Sequence, residues 1–197
     1  WQYEWNYKNV WSRLMGIPVL LTDNSSDTTG LSSIAFGDSY LTSTYDEYMF
    51  VLTDINPDND DIDFGFQVNV DGQTGYNEVI TSSYFHATHR ENDSGGAIGY
   101  EQDGDQAQGT ANQLLGIYLG QQADAAMAGV LHLFNPSSTV YVKHFYARTN
   151  LNDGAAPSYQ RDQFIAGYIN VTGAIDEISF SHSSGNFDGL IQMYGIK

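Results

Sequence analysis

"AIDEISFSHSSGNFDGLIQMYGIK", residues 174–197, is the stretch that decides the fold. Ile178 and Phe180 alternate with Glu177, Ser179 and Ser181, the period of two that marks a half-buried strand. "SSGNFDG" (183–189) is a run of turn residues, and "LIQMYGI" follows it. In that run Leu190, Tyr194 and Ile196 fall on one face and Ile191 and Met193 on the other. A strand with apolar groups on both faces is covered on both sides. The pattern predicts a hairpin that closes the molecule, its last strand packed on its own core and on a neighbouring subunit.

The same grammar runs backward along the chain. Strand-like runs occur at 17–22, 31–36, 47–55, 62–70, 76–89, 127–135, 139–149, 163–171 and 174–181, separated by "NPDNDD", "DGQTG", "NPSS" and "VTG". Only residues 105–127 have the Ala, Gln and Leu content of a helix, which Gly109, Gly116 and Gly120 weaken. Many short strands with one weak helix predict an all-β fold, an antiparallel β-sandwich of jelly-roll type spanning residues 16–197. Residues 1–15, "WQYEWNYKNVWSRLM", stand apart as an N-terminal aromatic arm holding all three tryptophans. Trp1, Tyr3, Trp5, Tyr7 and Trp11 are the candidate partner-binding residues, because aromatic anchors dominate protein interfaces. Packing of the arm on its own domain is the competing reading.

Hydrophobic residues make up 41% of the 197, enough for a core. Against 24 Asp and Glu stand only 7 Lys and Arg, a formal charge of −17. Such a surface repels a phosphate backbone and an anionic membrane, so neither nucleic acid nor membrane is an expected partner. With no cysteine there is neither a disulfide framework nor a thiolate metal site.

"DINPDNDDIDFG" is the densest acidic run, and Asp58, Asp60, Asp61 and Asp63 are calcium candidates by virtue of their oxygens. Their spacing lacks the helix–loop–helix calcium order, and a solvated turn is the plainer expectation. Glu101, Asp103 and Asp105 form a weaker candidate. His86 and His89 sit at an odd separation and so point to opposite faces of one strand. His132 and His144 lie on neighbouring strands and could meet across the sheet. No nucleophile elbow, phosphate loop or dinucleotide fingerprint occurs, so no catalytic residue, metal or cofactor is assigned.

"STYDEYMFVLTDINP" (43–57), "DFGFQVNVDG" (63–72), "GVLHLFNPSSTVYVKHFYART" (129–149) and the terminal "SSGNFDGLIQMYGIK" together resemble a family of tailed-bacteriophage virion proteins. The resemblance covers roughly residues 16–197, and Met193 stands where the family often has Leu or Phe. It implies a non-enzymatic structural protein of the virion, decorating the capsid or forming part of the tail apparatus. Its expected partners are other virion proteins and further copies of itself, with a trimer favoured. The alternative is a carbohydrate-binding or host-receptor-binding module, with Tyr141, Tyr146 and Tyr168 among the aromatics available to stack on sugar rings.

Overall fold

The computed structural model describes residues 16–155 and 157–197; the aromatic arm, and with it every candidate partner-binding residue from Trp1 to Trp11, lies outside them. The described residues form thirteen strands and no helix. They are β1 (Val19–Asp23), β2 (Ile34–Phe36), β3 (Glu47–Pro57), β4 (Ile62–Val70), β5 (Ile80–Arg90), β6 (Gly96–Tyr100) and β7 (Ala107–Gly109). After these come β8 (Gln113–Leu119), β9 (Met127–Phe134), β10 (Lys143–Asn152), β11 (Tyr159–Ile169), β12 (Ile175–His182) and β13 (Phe187–Ile196). All pairings are antiparallel.

Two sheets pack face to face as a β-sandwich. The larger has nine strands in the order β1-β13-β3-β9-β10-β11-β5-β6, with β7 also on β5; the smaller runs β2-β12-β4-β8. Alternation along each strand builds the core between them. Phe50 of the large sheet meets Phe180 of the small one with ring centroids 5.3 Å apart. Phe66 meets Phe145 edge-on at 5.2 Å. Phe36, Phe64 and Phe187 complete the aromatic centre, all at most 4% exposed.

Two expectations are corrected, and one strand was not anticipated. The terminal hairpin does not exist: β12 belongs to the small sheet, between β2 and β4, whereas β13 belongs to the large sheet, between β1 and β3. Residues 183–186 carry the chain from one layer to the other, with Gly185 at φ +76°. Periodicity had fixed the faces correctly, since Ile191 and Met193 are buried and Leu190, Tyr194 and Ile196 are half-buried. It carries no information on which sheet a strand joins. The weak helix at 105–127 is instead β7 and β8. Its glycines are the reason: a Cβ on Gly116 would lie 2.9 Å from Leu119 Cδ1, so the segment packs at a separation only glycine permits. Finally β6, glycine-rich and short, has no sequence counterpart.

Where strands approach most closely, glycine is obligatory. A methyl group on Gly167 would meet Ser82 Cβ at 2.7 Å and Phe145 Cζ at 2.9 Å, besides the Thr81 carbonyl. Gly167→Ala is expected to cost about 2 kcal/mol through overpacking between β10 and β5, measurable by urea unfolding.

Candidate functional site

Two regions carry chemistry that the core does not use. The first is a cleft of about 440 Å³ lined by Asp60, Asp61, Tyr118, Gln122, Asp153 and Arg161, among others. It forms where the register between β4 and β8 shifts between the Ile62–Leu119 and Phe64–Gly116 pairs. The extra residues include Tyr118, held at φ +60°, an uncommon backbone for a bulky side chain. The guanidinium of Arg161 lies 5.1 Å from the Tyr118 ring centre and 3.4 Å from Asp153 Oδ2.

Of the calcium candidates, Asp60 and Asp61 line this cleft, and Asp60 and Asp63 serve as hydrogen-bond acceptors. Asp60 takes the backbone N–H of Gln121 at 2.9 Å and the side-chain amides of Gln121 and Gln122 at 2.9 and 3.0 Å. Those donors hold its carboxyl below the usual range, the Gln121 backbone N–H most of all. Asp63 accepts the Tyr118 N–H at 3.2 Å, and its carboxyl is raised, chiefly by burial. Asp61 sits at φ +59°, a turn position, and Asp58 donates its backbone N–H to Asn186 O at 3.0 Å. Among the described residues, no three His, Cys, Asp or Glu side chains are grouped to hold a metal ion. Asp60 thus ties the 58–61 turn to the β8–β9 connection. Asp60→Ala is expected to speed amide hydrogen exchange at Gln121 while leaving exchange in β10 unchanged.

The second region is the outer face of the large sheet, and it is unusual for an exposed surface. Strand register sets Tyr146 between Ala166 and His132, and Arg148 between Phe164 and Val130. The row continues from Phe164 to Phe85 and from Phe85 to Tyr100. Phe85 and Phe164 stack nearly parallel with centroids 4.9 Å apart, and His132 stacks on Tyr146 at 4.5 Å. The Arg148 guanidinium lies 4.9 Å above Phe164 and grips Asp162 through two N–H bonds of 3.0 and 2.7 Å. A shallow groove of about 380 Å³ runs between Phe85, Tyr146 and Phe164. Phe85 is 44% exposed, Tyr146 46%, Tyr100 55% and Ile98 84%.

The histidines resolve accordingly. His86 points inward, 3.5 Å from Glu101, whereas His89 is exposed beside Asp93 at 3.2 Å. His132 and His144 do share the outer face, yet they do not pair in register: His132 opposes Tyr146 and contacts Glu47, while His144 opposes Tyr168. Of the three tyrosines considered for stacking, Tyr141 and Tyr146 are exposed and Tyr168 is half-buried. The aromatic face was missed because its members lie on five separate strands. The available signal was the alternation His144–Tyr146–Arg148 against Phe145–Ala147, which puts an aromatic on the polar side of β10.

No family model, curated protein or solved structure matches this chain.

Proposed function

We propose that the protein is a non-enzymatic structural component of a bacteriophage virion, acting on the capsid or tail through protein–protein contacts. One observation carries this reading: the broad, exposed aromatic face of the large sheet. Apolar patches beyond a few hundred Å² on a soluble protein's surface mark interaction sites. Aromatic side chains and an arginine at the centre, with acids toward the margins, have the composition of a protein interface. The strand order supports a jelly-roll form as well. Counting only β1, β2, β3, β4, β8, β9, β12 and β13, the two layers read first-eighth-third-sixth and second-seventh-fourth-fifth, as in two interlocked Greek keys. The hairpin β10–β11 and the pair β5–β6 then extend one layer and create the wide face. Antibodies against the purified chain should label intact particles of the phage that encodes it; particles lacking the chain by mass spectrometry would refute the assignment.

A carbohydrate- or receptor-binding module is the second reading, favoured by the exposed ring of Tyr146 beside the groove. Binding to a neutral glycan that Tyr146→Ala abolishes would select it over the first.

A further inference from the structure

We infer that the outer face of the large sheet is covered by the same face of a second copy of this chain, related by a two-fold axis. This rests on the reading of that face as a protein interface and names its partner.

Charge decides in favour of a second copy. Two chains of −17 repel one another over most of their surfaces. The central rows of this face are the exception. Between β13 and β5 the outward charges of these rows are Arg148, Asp162 and Glu47, with Asp54 exposed at the β3 bulge on their margin. Arg148 and Asp162 neutralise each other at 2.7 Å, and Glu47 is partnered by His132. Two like-charged copies can therefore meet here without bringing unpaired carboxylates together. A foreign partner selected by charge would instead be cationic and would be drawn to the acidic margins.

Size agrees. The six strands from β13 to β5, about 4.8 Å apart, and four outward rows about 7 Å apart give a patch of roughly 24 by 20 Å, or about 500 Å², which the edge strands β1 and β6 extend to about 700 Å². A stable interface buries about 800 Å² per partner. Flat sheets pack face to face about 10 Å apart, and a surface that packs on itself generates a two-fold contact. This stands in place of the trimer expected from the sequence. Phe85, Tyr146 and Phe164 are the anchors, since truncating central aromatics is what most weakens such contacts.

The test is light scattering coupled to size exclusion on the full chain, with the variant Tyr146→Asp/Phe164→Asp alongside. The wild type is expected at twice its chain mass of 21.8 kDa. The variant should need at least tenfold higher concentration to associate, with an unchanged circular dichroism spectrum. A wild type that stays at 21.8 kDa at 100 µM (about the upper end of weak association), or a variant that dimerises equally well, overturns the inference. So does a monomer whose tryptophan emission shifts in the variant: all three tryptophans lie in residues 1–15, so that result would put the chain's own arm on the face. Particle labelling is scored on the wild type separately. A monomeric chain found in particles refutes the two-fold packing alone, and a dimer absent from particles refutes the virion assignment alone.

Discussion

Replacing His182 by Leu is expected to stabilise the protein, and by more as the solution is made acidic. His182 ends β12 where the chain leaves the small sheet, and it is 7% exposed. Its ring lies 4.9 Å from that of Phe64 and 5.2 Å from that of Phe187. Among the described residues neither ring nitrogen has a hydrogen-bond partner of good geometry, and the nearby Asp63 backbone only partly offsets burial. Burial pushes its pKa from 6.5 down to about 4. The unfolded chain therefore binds a proton between those values that the folded chain does not, and stability rises with pH through the window. Read downward, His182 contributes no penalty above pH 6.5 and a growing one as pH falls toward 4. The loss amounts to about 2 kcal/mol at pH 5 and about 3 kcal/mol at pH 4.

Asp63 and Glu78 act in the opposite direction, because burial raises both carboxyls and acid relieves the cost of their charge. The wild type alone therefore cannot isolate His182, but the difference between wild type and His182→Leu can. Urea unfolding of both across pH 4–8 should give a difference that widens as pH falls. A constant difference would show that the ring is protonated within the fold and that burial is not what governs it.

The same residue shows how far the sequence could be read. His182 shares the parity of Ile178 and Phe180, so alternation alone puts it inside. The faces of β12 and β13 were legible for that reason, as were the bounds of β4, residue for residue. What alternation cannot encode is long-range partnership. Each strand's period is satisfied whether its neighbour in sequence lies beside it or in the opposite layer. The turn after His182 was accordingly read as a hairpin although it crosses the sandwich. The region 105–127 failed for a different reason: composition suggested a helix, but Gly116 and its neighbours serve close packing between β8 and β9. The candidate site suffered most, because the aromatic face is assembled by register across strands far apart in the chain. Single-strand patterns mark Tyr146 as outward; only pairing sets it near Phe164 and Phe85.

Lys143 yields the other large effect. It opens β10 on the parity of Phe145, an inward position that a lysine rarely holds, and it is 0% exposed. Its ammonium donates to the carbonyl oxygens of Tyr141 at 3.1 Å and Val171 at 3.3 Å, and to that of Gly173. No carboxylate neutralises it among the described ion pairs, so these carbonyl dipoles alone compensate its burial. Through them one side chain ties the β9–β10 connection to the β11–β12 connection. Lys143→Met keeps the stem but leaves the carbonyls of Tyr141, Val171 and Gly173 without this donor. Charge-assisted bonds and the orphaning of buried acceptors together put the loss at about 3 kcal/mol after the gain from burying an apolar tip. Burial lowers the lysine pKa from 10.5, so the unfolded chain holds the proton to higher pH than the folded one. Wild-type stability relative to Lys143→Met must then rise as pH climbs toward 10.5. Urea unfolding at pH 7 and pH 9.5 (a choice about one unit below the free lysine value) checks both points. A loss under about 1 kcal/mol would mean that water replaces the ammonium at all three carbonyls. A gap that narrows with pH would mean that the folded state favours the charged lysine, and that the three dipoles outweigh its desolvation.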